Sequence, residues 1–260
     1  TGRLEKSMSR YDKAKVKIIK PCERTKKLEE VCRRLWKNNF DDSTEYISFY
    51  FSDRWKESTT IIYGEESMLH LNPYRMQLFG SEKTIYYIVG VCTDKAYRHR
   101  GYMDALLRES FRYLYEKDAP FVYLMPADEK IYLPYDFTNV YTVNSFEIVS
   151  RNGERKNIDN KLLAAGYDKI AQNEIKAAVY AEMSSNEIEV IGYAELSEKQ
   201  KSEFIIRSEK IMSEIFDCYV KRDEFYFEQK NREMKACGGE LAVFVKAGKI
   251  TGYVMYICED

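Results

Sequence analysis

VGVCTDKAYRHRGYMDALL, residues 89–107, is the stretch from which the rest of the chain can be read. Val89, Val91, Cys92 and Thr93 are the apolar and β-branched types of a buried strand. Further on, Met103, Leu106, Leu107, Phe111 and Leu114 recur at the spacing of one apolar helical face. Arg98, His99, Arg100 and Gly101 stand between the two and are expected in the first turn of that helix. A helix start exposes N–H groups that have no carbonyl one turn back, together with the positive end of the helix dipole. With two guanidiniums beside them, such groups have the chemistry to hold a pyrophosphate, and Gly101 lets the backbone approach it without a Cβ in the way. On spacing alone, an arginine-rich solvated helix face accounts for the same residues.

Working outward, TTIIYGEESMLHL (59–71) and MQLFGSEKTIYYIVGVCT (76–93) read as antiparallel strands joined by turns. Residues 25–39 read as an amphipathic helix through Leu28, Val31, Cys32 and Leu35, and an aromatic stretch follows at Tyr46, Phe49, Tyr50 and Phe51. Downstream, FVYLM (121–125) reads as another buried strand. Helix, antiparallel strands, glycine-containing turn, helix and strand make an α+β plan.

The second half partly repeats the first. FDDSTEYISFYF (40–51) resembles FDCYVKRDEFYF (216–227), with Phe40 and Phe216 the same distance apart as Phe51 and Phe227. Each copy follows a helix-like stretch and precedes a strand pair, the later one being ELAVFV, a turn at KAGK, and ITGYVMYI. Chance likeness of aromatic-rich segments is the alternative. The matching order of elements favours two related domains, 1–150 and 151–260, the second incomplete.

Composition narrows the class. The chain has 260 residues, 45% hydrophobic and 32% charged, with 12 Gly and 5 Pro, which excludes collagen-like, low-complexity and disordered classes. Forty-one Lys and Arg against 42 Asp and Glu give no general pull toward nucleic acid or an acidic membrane. No apolar run approaches the ~20 residues of a membrane span and the N-terminal stretch has no signal-peptide segment, so a cytoplasmic protein is expected. Cys22, Cys32, Cys92, Cys218, Cys237 and Cys258 form no CxxC pair and read as reduced thiols. With His70 and His99 the only histidines, no metal site is expected. A start at Thr1 and an end at Asp260, directly after a strand-like run, read as a piece of a longer polypeptide.

RHRGYM (98–103) resembles the (Q/R)xxGx(G/A) pyrophosphate motif of the GNAT acyltransferase superfamily, preceded as there by a strand. MLHLNPYRM (68–76), YIVGVCTDKAYRHRGYM (87–103) and LMPADEKIY (124–132) are similar to the Eis-like (enhanced intracellular survival) branch, which has tandem GNAT domains. YVKRDEFYFEQ (219–229) and GGELAVFVKAGKITGYVMY (238–256) resemble the second domain of that branch. The resemblance implies tandem GNAT folds, each a mixed, mostly antiparallel sheet flanked by helices, the second copy without a cofactor motif.

The same resemblance implies acetyl-CoA as donor and a small-molecule or peptide primary amine as acceptor. By it, backbone groups of Val91 and Thr93 would pair with the pantetheine arm, and Arg98, His99, Arg100, Gly101, Met103 and Asp104 would take the pyrophosphate. Tyr132, in EKIYLPYDF, matches the tyrosine of the family's IYxxFGF, which gives a proton to the CoA sulfur. In that branch the general base is the C-terminal carboxylate of a third, sterol-carrier-like domain. Asp41, Asp42 and His70 are candidates to line the acceptor cleft, with a cap or turn and a core histidine as their structural alternatives. Three residues depart from the pattern: Met103 at the usual Gly or Ala, Lys95 at a common Pro, and Asp136 at the Gly of the FGF-type turn. If that last position has positive φ, Asp tolerates it better than most. The rival reading from another class is a catalytically silent acyl-CoA-binding protein whose second half builds a homo-oligomer.

Overall fold

The computed structural model describes residues 12–140 and 188–257. The chain divides into two compact units, Thr1–Asp136 with Phe216–Lys221, and Phe137–Ile215 with Arg222–Asp260. The domain boundary expected at 150 lies outside the described residues.

The first unit runs β1 (Val16–Ile19), α1 (Lys26–Asn39), α2 (Thr44–Ser52), β2 (Thr59–Tyr63), β3 (Ser67–Leu78), β4 (Ser81–Thr93), α3 (Tyr102–Glu116) and β5 (Val122–Tyr123). Strands lie side by side in the order β1-β2-β3-β4-β5, all antiparallel except the last pair. A further strand, Cys218–Val220, pairs antiparallel with the end of β3 at Met76–Leu78. This is the α+β plan expected, with a mixed, mostly antiparallel sheet.

Period-two alternation on β3 separates the two faces. Met68 joins Ile62 and Cys92 in a core with Leu28, Val31, Cys32, Leu35 and Trp36 of α1 and Ile47, Tyr50 and Phe51 of α2. Leu69 and Leu71, fully buried, point to the opposite face, which α3 covers. Thr25 caps α1 by accepting from Leu28 N at 3.2 Å. The aromatic stretch at 46–51 forms α2 because Ser43 caps it, accepting from Tyr46 N at 3.1 Å. FVYLM is corrected: only Val122 and Tyr123 form strand, both half-buried, and Met125 is 69% exposed.

The second unit, over its described residues, runs β6 (Ile188–Gly192), α4 (Glu198–Ile215), α5 (Glu224–Ala236), β8 (Glu240–Lys246) and β9 (Lys249–Tyr256). Cys218–Val220 of the first sheet is β7 in this numbering. The second sheet is antiparallel in the order β6-β8-β9. Its core gathers Tyr193, Phe204, Phe227, Leu241, Val243 and Met255, with Phe204 and Phe227 ring centroids 4.5 Å apart. Both units thus contain strand, two helices and two strands, with the first strand antiparallel to the second. Phe51 and Phe227, matched in the sequence repeat, are each buried on the second helix of their unit. Among the described residues no helix is long and apolar enough to cross a membrane.

One irregularity bears on function. The β3–β4 register shifts between Met68, opposite Cys92, and His70, opposite Val89, so Gly90 and Val91 together face Leu69. This is a β-bulge with a glycine at φ +64°. A Cβ on Gly90 would lie 2.8 Å from Trp36 Cζ3 and 3.1 Å from His70 Cδ2. Just before the bulge, β5 stops accompanying β4: their pairs are Tyr86 with Val122 and Tyr87 with Tyr123. We expect Gly90→Ala to destabilise the fold by about 2–5 kcal/mol, since it combines a left-handed side-chain residue with an overpacked core. Denaturant titration of both proteins measures this, and an unchanged midpoint would show that the bulge relaxes freely.

Candidate functional site

The site is built where β4 turns into α3. Asp94 N–H donates to Glu66 O at 2.8 Å, and the Asp94 carboxylate caps a short 3-10 turn by accepting from Ala96 N at 3.0 Å. The chain then passes through Arg98, His99 at φ +62° and Gly101 at φ +82° before the helix begins at Tyr102. Arg98, His99 and Arg100 therefore lie in the loop ahead of α3, not in its first turn as expected from sequence. Two positive φ values so close together cannot be part of a right-handed helix.

The first backbone bond of α3 runs from Ala105 N to Gly101 O at 3.0 Å. The N–H groups of Tyr102, Met103 and Asp104 thus have no carbonyl one turn back, and Gly101 supplies no side-chain cap. This start, with the exposed Arg98, His99 and Arg100 just before it, has the chemistry to attract an anion.

Side chains hold the loop in this shape. Tyr102 stacks on the buried Tyr63 with centroids 4.0 Å apart, Tyr97 stacks on Tyr102 at 6.5 Å, and the Arg100 guanidinium lies 5.0 Å from the Tyr97 ring. Arg100 Nη2 also donates to Ala96 O at 3.2 Å. Arg98 Nη2 donates to Asn39 Oδ1 at 2.8 Å and its Nε to Thr93 O at 3.3 Å, tying the loop to the end of α1 and to the end of β4. The carboxylate in the first turn, Asp104, is neutralised in place: Arg108 Nε donates to both of its oxygens at 3.0 and 2.9 Å. Tyr135 Oη adds a third bond, donating to Asp104 Oδ1 at 3.0 Å.

Residues 23–140 match the family model described as acetyltransferase (GNAT) domain. Over these residues the chain is similar to that family and has a GNAT-like fold. No curated protein matches the sequence. Among solved structures, a probable N-acyltransferase of unknown function from Enterococcus faecalis has 14% identity and a TM-score of 0.55, the match covering 92% of this chain and 54% of that one. The chain thus spans about half the length of that protein, and at this identity the likeness is one of fold. A putative acetyltransferase from Agrobacterium tumefaciens has 18% identity and a TM-score of 0.36, covering 52% of this chain and 99% of that one. A GNAT family acetyltransferase from Brucella melitensis, solved with acetyl-CoA, has 16% identity and a TM-score of 0.37, covering 48% and 83%.

Within the matched residues, Val91 sits in the bulge and Thr93 ends β4, its hydroxyl 2.8 Å from Ser67 Oγ. Met103 is half-buried in the first turn of α3. Tyr132 lies between two 3-10 turns, Glu129–Ile131 and Leu133–Tyr135, and burial raises its phenol above the usual value. Asp136 has φ +63°, the left-handed geometry that its glycine-like position requires. Among the described residues no group of His, Cys, Asp and Glu is arranged to hold a metal ion.

The three acceptor candidates are not gathered into one cleft-lining group. Asp42 Oδ2 accepts from Trp36 Nε1 at 2.7 Å, whereas Asp41 is exposed at the α1–α2 junction. His70 is completely buried, stacked on Trp36 and ringed by Tyr50, Phe51 and Trp55. Its Nδ1 is 3.0 Å from Thr60 Oγ1, which in turn accepts from Trp55 Nε1 at 2.9 Å. Sequence reading passed over Gly90 and Trp36, and set Tyr135 beside Tyr123 as a residue off the motif position whose replacement by Phe would cost little in kcat. A glycine inside an apolar strand run is the ordinary signal of a bulge or a close approach, and a tyrosine where the motif has Phe marks an added hydroxyl.

Burial, with the charge of Arg24 as a second cause, pushes the His70 imidazole from 6.5 down to about 3. Above pH 6.5 the ring is neutral in both folded and unfolded chains. Below it the unfolded chain takes up a proton that the folded one refuses, so stability falls as pH falls toward 3. His70→Phe should remove this contribution. The stability difference between parent and variant, from denaturation at several pH values, should shrink by up to about 1.4 kcal/mol per pH unit below 6.5. A difference independent of pH would mean that His70 is protonated inside the fold.

Proposed function

We propose that this chain is an acetyl-CoA-dependent N-acetyltransferase of the Eis-like branch, acting on a primary amine, with its second unit a further GNAT-like domain. The observation that carries the reading is the junction just described: a bulged strand, a loop with two left-handed residues, and a helix start whose N–H groups lack a side-chain cap. The fit to CoA is chemical. Backbone N–H groups at Tyr102, Met103 and Asp104 with Arg98, His99 and Arg100 would hold the pyrophosphate, and Gly101 keeps a Cβ out of its way. Past Tyr87 the edge of β4 around Val91 and Thr93 is no longer paired with β5 and would take the pantetheine amides as a short ladder. The shared order of strand, two helices and two strands in both units supports the tandem arrangement.

Bound acetyl-CoA supplies an acetyl group already activated as a thioester. Strand N–H groups at Val91 would stabilise the charge that develops on the carbonyl oxygen as the amine attacks. Tyr132 would give its proton to the departing sulfur. Burial that raises the phenol keeps it protonated at neutral pH, as a donor must be. The thiol nearest the bulge, Cys92, is pushed by burial up to about 12 and stays protonated, so it offers no nucleophile for a covalent acyl-enzyme. The proposed chemistry is direct transfer to the amine. Asp41, exposed like Asp42 at the α1–α2 junction, is a carboxylate that would draw a cationic amine there.

Two measurements test the reading. CoA should protect amides of residues 89–107 from hydrogen exchange, and protection confined to the second unit would remove the cofactor assignment. Tyr132→Phe keeps the ring and its packing, so it should leave the Kd for CoA within a few-fold while lowering kcat by about 10²–10⁴. Turnover at the parent rate would return Tyr132 to a packing role. CoA binding with no transfer to any of a panel of amines would instead favour a silent acyl-CoA-binding protein.

A further inference from the structure

We propose that Tyr135, Asp104 and Arg108 form a clasp that holds the turn bearing Tyr132 against the first turn of α3, making Tyr135 a positioning residue for acetyl transfer. The proposal rests on the reading of Tyr132 as proton donor. Between β5 and residue 140 the described residues form two 3-10 turns, whose backbone bonds include Tyr132 N to Glu129 O at 2.9 Å, Tyr135 N to Tyr132 O at 2.9 Å and Asp136 N to Leu133 O at 3.2 Å. Such bonds shape the segment locally. Ile131 and Leu133, on either side of Tyr132, are 44% and 52% exposed and add little anchorage.

Tyr135 reaches outside the turn. Its hydroxyl donates to Asp104 Oδ1 at 3.0 Å, and its ring lies 6.2 Å from that of Phe111. Asp104 and Phe111 are two turns apart on one face of α3, so the tyrosine grips the helix at two levels. Arg108, one turn on from Asp104, fixes the carboxylate from within the helix with its two bonds. A charge-assisted bond to a carboxylate already immobilised defines direction as well as distance. The Tyr135 N to Tyr132 O bond carries that placement back to Tyr132 within a single turn.

The clasp is a property of this chain's residues. Tyr135 stands where the IYxxFGF pattern has Phe, and the added hydroxyl is the atom that meets Asp104. Because Asp104 lies in the turn assigned to the pyrophosphate, one helix start would orient both the cofactor and the proton donor.

The test uses the full chain with Tyr135→Phe, which removes one oxygen. We expect amides of residues 131–136 to exchange about tenfold faster or more, and kcat to fall about 10-fold to 10²-fold, with the Kd for CoA within a few-fold. Asp104→Ala, which removes the acceptor, should accelerate exchange in the same residues. The double variant Tyr132→Phe/Tyr135→Phe should turn over no more slowly than Tyr132→Phe alone, because a positioning residue acts through the group that it positions. Unchanged exchange at 131–136 in Tyr135→Phe would overturn the clasp, and additive losses in the double variant would overturn its action through Tyr132. If Tyr132→Phe itself runs at the parent rate, the proton-donor reading fails. The exchange arm then still decides the clasp: faster exchange supports it and unchanged exchange removes it.

Discussion

The contact between Trp36 and Gly90 is the constraint on which the site depends. An indole edge occupies the space where any side chain at position 90 would go, and the strand answers by bulging. The bulge cannot slip along β4, because moving it by one residue would place a side chain against the ring. Trp36 is itself held from several directions, by Tyr50 at 4.4 Å, Phe40 at 5.3 Å, Phe51 at 5.8 Å and the bond to Asp42. Each aromatic pair contributes about 0.5–1.5 kcal/mol beyond the area it buries. The core between α1, α2 and the sheet therefore determines the shape of a strand edge outside that core.

Polarity is partitioned accordingly. Groups beneath the bulge are kept uncharged by burial: His70 is neutral, and the thiols of Cys32 and Cys92 are each pushed up to about 12. The charges gather at the loop instead, where Arg98 and Arg100 are exposed and bond backbone carbonyls of the same segment. A guanidinium that spends one edge on its own loop brings its positive charge to a fixed place, so less conformational freedom is lost when an anion arrives. The same logic covers Asp104, whose negative charge would oppose an anion at the helix start if Arg108 did not bracket it.

Much of this was legible in the chain. The apolar spacing of Leu28, Val31, Cys32 and Leu35 marks α1, and the β-branched runs around 59–93 mark the meander, because burial of one face imposes a period that survives in sequence. RHRGYM marks the loop ahead of α3 for a different reason, since few residue types tolerate the backbone that Gly101 adopts there. What was not legible is what depends on residues far apart. The helix boundary at Tyr102 is set by the φ values of His99 and Gly101, and the stacking of Tyr63, Tyr97 and Tyr102 joins positions on two elements. FVYLM has the composition of a buried strand, yet it pairs at only two residues because β4 turns away from it at the bulge. Asp42 shows the same limit: its role follows from Trp36 Nε1, six residues earlier, and from nothing in its immediate neighbours.

The strand β7 carries a consequence for how the protein is made. It completes the free edge of β3 at Met76–Leu78, and Lys221 Nζ reaches Glu82 across 139 positions of sequence. A ribosome adding about 5–20 residues per second delivers that strand on the order of ten seconds after β3. For that interval the nascent first sheet displays unpaired backbone at the edge of β3, beside an exposed Phe79 at the hairpin tip. Such an edge invites pairing with another chain, so synthesis passes through a window in which shielding by a chaperone, or slow collision between polysomes, governs the yield of folded protein.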